Sequence, residues 1–255
     1  MIGEDEQDRS EQEMTSFFRS VPEAKRNSLG LMGGWAVTYL LNNRGIQHVG
    51  SRDIDIFYDP KCINHSFISE LIRRQRFVPH SNFRWAKFFD RRTRKMISEN
   101  ESKRLNHFNL TTIYLDVAAP APDEDQFVRD HVLDEPLLRE VFDGKSEYSQ
   151  SADSRILMPN IHVMVRIKTK SVLGRVDSFK REKDLVDLVA MVRNAPELWV
   201  QDDGFQVKLR SDLRNEHTLE LKRRLDAYSR DGTLSNVANL LALDFDVVLE
   251  ILRRM

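Results

Sequence analysis

The sequence predicts an α+β fold: a mixed sheet with flanking helices, followed by an all-helical C-terminal domain. Three observations carry this. Asp53 and Asp55 alternate with Ile54 and Ile56 in DIDIFYD, the period of a strand with one buried face. NLTTIYLDVAA (109–119) shows the same period, with Ile113, Leu115 and Val117 on one side and Tyr114 and Asp116 on the other. From Pro159 onward the apolar residues recur at helical spacing instead.

The elements follow in order. Residues 1–27 form a lead-in whose first thirteen residues are acidic and polar, with little to bury, and are expected to be disordered. A helix is expected within 14–20, interrupted by Pro22. SLGLM (28–32) reads as a strand ending at Gly33-Gly34. A helix that is apolar nearly all round then runs through Ala36, Val37, Tyr39, Leu40 and Leu41. NNRG closes it, with Gly45 where a left-handed cap belongs. After DIDIFYD come a helix at 64–76 and two strands at 84–90 and 109–119, joined by a charged connection. Residues 120–150 carry mixed signals. The change of character places the first domain at 28–155 and the helical one at 156–255.

Composition narrows the function. A chain of 255 residues with 40% hydrophobic and 31% charged residues can bury a substantial core beneath a well-solvated surface. A net charge of −1 gives no whole-molecule attraction to nucleic acid or anionic lipid, so any such contact needs a local patch. Cys62 is the only cysteine, which excludes an intrachain disulfide and a cysteine-built zinc site. The seven histidines show no HxH or HxxxH spacing. The opening residues lack an apolar signal core, and the most apolar stretch, 234–254, is broken by Asp244 and Asp246. The expectation is a cytoplasmic protein without membrane contact.

The candidate chemistry starts at Asp53 and Asp55. Residues two apart on a strand share a face at roughly 6.5–7 Å between Cα atoms. Carboxylates held so close repel unless a cation sits between them, and Mg²⁺ takes one or two carboxylates plus substrate phosphates. Two other acidic triplets differ in context: Asp123–Asp125 sits in a Pro/Asp loop, and Asp244 and Asp246 belong to a helical stretch where i and i+2 diverge. Gly33 and Gly34 stand between a strand and a helix N-terminus, where bare N–H groups can approach a phosphate. Asp116 adds a third carboxylate in mid-strand, a position that calls for a partner or a metal.

Gly-Gly-Trp-Ala, then Ser-Arg-Asp-Ile-Asp-Ile-Phe, then the later strand aspartate together resemble the polymerase-beta-type nucleotidyltransferase superfamily. The resemblance implies a nucleotidyltransferase-type sheet in which Gly33 and Gly34 cradle an NTP triphosphate. Asp53 and Asp55 would hold the metal, two Mg²⁺ ions or Mn²⁺ in their place. Asp116 would complete the metal site and help deprotonate the acceptor, and Ser51 and Arg52 would touch phosphates. In the helical half, Pro-x-x-apolar-Lys-x6-Arg-x7-Lys-Asp-x-x-Asp-Leu is similar to abortive-infection toxin nucleotidyltransferases. That similarity implies that Lys168 reaches the triphosphate and Asp184 lies near the active site, with Arg175 and Asp187 in support. It covers roughly 28–119 and 155–192.

The implied reaction is transfer of an NMP from an NTP to an acceptor with release of pyrophosphate. A tRNA or other RNA acceptor is the first expectation, and a toxin of that kind implies a cognate antitoxin protein. A small molecule such as an aminoglycoside is the second acceptor class. A degenerate fold serving as a binding module is the non-enzymatic alternative. The segment 73–95 interleaves Arg73, Arg74, Arg76, Arg84, Lys87, Arg91, Arg92, Arg94 and Lys95 with Phe77, Phe83, Trp85, Phe88 and Phe89; it reads first as a hairpin with a basic solvent face and a packed aromatic face, and otherwise as the candidate RNA surface. Residues 232–254 resemble a helix-turn-helix, but Asp244, Asp246 and Glu250 have the wrong sign for DNA; a packing or dimerising helix pair is expected there.

Overall fold

The structure, a computed structural model, describes residues 4–121, 128, 131–149, 155–201, 207–210, 213 and 215–255. The acidic triplet 123–125 lies outside the described residues. The chain forms two compact units, one of residues 1–39 and 47–159 and the other of 40–46 and 160–255.

The first unit opens with helix α1 (Glu4–Arg19), followed by β1 (Leu29–Met32), α2 (Gly33–Asn42), β2 (Ile54–Tyr58) and α3 (His65–Arg74). Then come β3 (Val78–Ser81), β4 (Arg84–Asp90), β5 (Met96–Ile97), α4 (Glu99–Ser102) and β6 (Leu110–Ala119). Short pieces follow among the described residues: β7 (Leu133–Asp134), α5 (Leu138–Phe142), β8 (Ser146–Tyr148) and β9 (Leu157–Pro159). The central path of the mixed sheet runs β3-β4-β6-β2-β1-β9-β8, with β5 on β4 and β7 on β6. β2 and β6 are parallel, β1 lies antiparallel to β2, and β4 antiparallel to β6. β9 joins the far edge of β1 in parallel, so the sheet extends to residue 159, beyond the boundary expected at 155. Gly30 permits this: a Cβ there would stand 2.4 Å from the Phe57 ring and 2.6 Å from the Leu157 carbonyl oxygen.

The expected disorder before residue 14 is corrected by α1, which is helical from Glu4. Its buried stripe begins with polar residues, Ser10 and Glu13, and continues through Met14, Phe17 and Phe18. Ser10 Oγ accepts a 3.0 Å hydrogen bond from the buried Trp35 indole, and Glu13 pairs with buried Lys87 on β4. A hydrophobicity pattern does not register such a stripe. Ser10→Ala strands the Trp35 N–H, and a loss of about 1–2 kcal/mol is expected in urea denaturation; an unchanged midpoint would contradict this anchoring of α1.

The second unit contains α6 (Ile161–Gly174), α7 (Ser178–Asn194), α8 (Glu216–Arg230), α9 (Thr233–Leu241) and α10 (Phe245–Arg254). Among its described residues it is helical apart from a two-stranded antiparallel ribbon of β10 (Trp199–Gln201) and β11 (Val207–Leu209), which helical periodicity does not foretell. Asn160, Asp177 and Asn215 each cap the N-terminus of the helix that follows, accepting from its first-turn N–H groups. In the helix-turn-helix-like stretch, Leu234, Val237, Val248 and Leu252 are buried, and α9 packs against α7, α8 and α10. Among the described residues, no helix is long and apolar enough to cross a membrane.

Candidate active site

Register builds the site. Met32 on β1 is opposite Asp55 on β2, Asp55 is opposite Asp116 on β6, and Asp116 is opposite Arg84 on β4. Directly opposed residues share a face, so Asp55, Asp116 and Arg84 form a row across three adjacent strands. The other face carries Ile54, Ile56, Leu115 and Val117, all buried. Core packing therefore fixes which way the charged residues point.

Gly33 follows β1 at the first position of α2 with φ +67°, and Gly34 is buried in the same turn. A Cβ on Gly33 would fall 1.8 Å from Asp55 Oδ2. The glycine thus lets the backbone meet the carboxylate edge, linking two motifs twenty-two positions apart in the chain (55 − 33). Asp53 lies one residue before β2, and its Oδ1 is buried without a hydrogen-bond partner. Arg52 Nε stands 3.9 Å from that oxygen, while the other end of its guanidinium faces Glu6 of α1 at 3.7 Å. Ser51 is buried and Arg52 exposed.

Arg84 is the functional candidate the motifs did not single out. It grips Asp116 through two hydrogen bonds, Nε to Oδ1 at 2.8 Å and Nη2 to Oδ2 at 2.6 Å. Its guanidinium lies over the Tyr114 ring, 4.7 Å from the centroid. The Asp116 hydrogen bonds, followed by the charges of Asp116, Asp53 and Asp55, outweigh partial burial and hold its proton above the ordinary arginine range. Arg84 stood in the sequence as one cation of a basic segment. Only the antiparallel register of β4 with β6 sets it beside Asp116.

The acidic row matches the donor chemistry of a hard cation. Asp53 offers an orphaned buried oxygen, and Asp55 presents its carboxylate against bare glycine backbone. Asp116 is engaged by Arg84. Among the described residues, no three His, Cys, Asp or Glu side chains are gathered closely enough to hold a metal together. The residues in place thus suit an ion bound by two carboxylates and completed by substrate oxygens.

The second unit gathers the other candidates into their own cluster. Lys168 on α6 lies 2.7 Å from Asp184 and 2.6 Å from Asp187 on α7, and all three are buried. Arg175 Nε, just beyond α6, reaches the second oxygen of Asp184 at 2.9 Å. Burial pulls the Lys168 pKa down, but Asp187 and Asp184 outweigh it and hold the ammonium charged. The Lys168 charge is therefore already balanced by protein carboxylates.

The basic segment divides. Phe77, Trp85, Phe88 and Phe89 are buried, so four of the five aromatic residues of the segment are core, and Phe83 is half-buried. Arg74 pairs with Glu70, Lys87 with Glu13 and Arg91 with Glu6. Arg73, Arg76, Arg92 and Lys95 are exposed.

No family model matches the chain, and no curated protein matches it. Among solved structures it is similar to an antigenic nucleotidyltransferase-like protein from Paracoccidioides brasiliensis. The two are 15% identical over 82% of this chain and 83% of that one, with a TM-score of 0.40.

Proposed function

We propose that the first unit is a metal-dependent nucleotidyltransferase core that moves an NMP from an NTP to an acceptor hydroxyl. The row of Asp55 and Asp116 on parallel neighbouring strands, with Gly33 against Asp55 and Asp53 Oδ1 unsatisfied, carries this reading. Asp53 and Asp55 would hold Mg²⁺, or Mn²⁺ in its place, and Asp116 would join them for a second ion. Bound there, the ion supplies positive charge to the phosphate oxygens.

The protein's own groups do the remaining work. Gly33 and Gly34 leave the start of α2 without side chains, so backbone N–H groups and the helix dipole are available to a phosphate. Asp116 accepts the proton of the acceptor hydroxyl as its oxygen attacks the α-phosphorus and pyrophosphate leaves. Arg52, exposed beside Asp53, is placed to meet phosphate oxygens. In the second unit, Lys168, Arg175, Asp184 and Asp187 act in this reading as a charge-balanced support of the helices that carry them.

RNA is the favoured acceptor, supported by the exposed cations Arg73, Arg76, Arg92 and Lys95, which suit phosphate contacts without base stacking. Acting on tRNA, the protein would be a toxin-like enzyme working in the cytoplasm with a neutralising partner protein. A cationic small molecule is the second reading.

The test incubates the protein with Mg²⁺ and each α-labelled NTP, with total tRNA in one series and an aminoglycoside in another. Label is expected on tRNA, and Asp53→Asn/Asp55→Asn is expected to lower transfer by at least about 10³-fold. Label on the aminoglycoside alone would replace the RNA reading. No transfer in either series, with no Mg²⁺–NTP binding, would make the fold a binding module.

A further inference from the structure

Arg84 places a guanidinium where the proposed chemistry asks for a metal. Both oxygens of Asp116 accept from it, so an ion approaching this carboxylate meets the guanidinium's charge while the pair is intact. Yet the row keeps an excess of negative charge, and Asp53 Oδ1 lacks a hydrogen-bond partner. A divalent ion at Asp53 and Asp55 would compete with Arg84 for Asp116 with twice its charge. The fork that fits a carboxylate also fits a phosphate, through the same two parallel N–H groups. The Tyr114 face beneath the guanidinium supports its plane independently of Asp116.

We infer that Arg84 exchanges partners as the site loads: it releases Asp116 to the metal and takes up the triphosphate. This rests on the nucleotidyltransferase reading and adds Arg84 to it as a positioning residue for Asp116 and a ligand for the phosphates. Before loading, the bidentate pair holds Asp116 in its rotamer and shields the carboxylate row from self-repulsion. After loading, both charges remain paired, each with a new partner, so neither is left half-buried and unsatisfied.

The exchange predicts opposite changes for two ligands, which a purely structural role would not produce. Mn²⁺ alone is titrated into the full chain, with free ion read by electron paramagnetic resonance. Inorganic tripolyphosphate in EDTA is titrated separately by calorimetry. Arg84→Gln is expected to bind Mn²⁺ about tenfold more tightly and tripolyphosphate about tenfold more weakly than the parent. Arg84→Lys, a point charge without the fork, should shift both in the same directions by less, and far-UV circular dichroism confirms that each variant is folded. In an Asp116→Asn background, Arg84→Gln should alter Mn²⁺ binding much less, only through the charge it presents to Asp53 and Asp55. Mn²⁺ binding seen only in Arg84→Gln would also support the exchange. Parent-like or weakened Mn²⁺ binding in Arg84→Gln, or unchanged tripolyphosphate binding, would overturn it while leaving the function intact. Mn²⁺ binding by neither protein would instead overturn the metal site and the exchange with it.

Discussion

Lys168→Met is expected to destabilise the second unit by about 3–5 kcal/mol, because it leaves Asp184 and Asp187 buried with their shared cation gone. Arg175 would still reach Asp184, but it is partly exposed and bonds the oxygen opposite the one held by Lys168. Asp187 would then face the greater penalty. Urea denaturation followed by far-UV circular dichroism measures the loss, and hydrogen exchange locates it in α6 and α7. The neutral combination Lys168→Met/Asp184→Asn/Asp187→Asn should recover much of it, since the penalty comes from uncompensated charge rather than from missing contacts. If the single variant keeps its midpoint, the cluster is not structural. The sign with pH follows from the raised folded-state pKa of Lys168. The contribution is fully present below the ordinary lysine pKa, including neutral pH, and is lost only as pH climbs through the folded-state value.

Gly33→Ala joins a stability loss to a functional one. At φ +67° alanine is strained, and its Cβ would lie 1.8 Å from Asp55 Oδ2 and 2.9 Å from Asp55 Cβ. The oxygen alone can rotate away, but the Cβ cannot leave without moving β2. A cost of about 2–4 kcal/mol is expected in urea denaturation. If Asp55 holds the metal as proposed, nucleotidyl transfer should fall by at least about 10²-fold even where the variant is fully folded, because a carboxylate displaced by about 1 Å from such a site carries that scale of penalty. A folded Gly33→Ala with parental transfer would show that Asp55 does not need its present place.

The elements that sequence reading finds are those whose pattern repeats long enough to show a period. β2, β4 and β6 and the helices α3, α6 and α7 are of this kind, while β1 and α2 are apolar runs marked by the glycines beside them. β8 and β9 are three residues each, and their membership of the sheet depends on pairing with residues far away in the chain. α1 escapes because its buried face includes Ser10 and Glu13, which look like surface until Trp35 and Lys87 are seen opposite them. The candidate site divides in the same way. Asp55 and Asp116 are legible because strand period assigns them a face. Arg84 is not, because its meaning lies in the register between β4 and β6. Lys168, Arg175, Asp184 and Asp187 are visible as a motif, but helix spacing does not reveal that they satisfy one another. In the basic segment, alternation of cations and aromatics suggested a surface. Phe77, Trp85, Phe88 and Phe89 fill the core, as a packed hairpin face requires, and even Lys87 is buried beside Glu13.

The parallel pairing of β1 with β9 also sets an order on biosynthesis. β1, β2, β4 and β6 are all synthesised by residue 119, whereas the strand that covers the outer edge of β1 begins at Leu157. At about 5–20 residues per second, the nascent sheet waits about 2–8 s between those points. During that interval Leu29, Gly30 and Leu31 present open backbone N–H and C=O groups beside apolar side chains, the features of a sticky strand edge. The ribosome thus releases the acidic row into a sheet whose opposite flank is still unprotected, and the vulnerable interval ends when residues 157–159 emerge and dock.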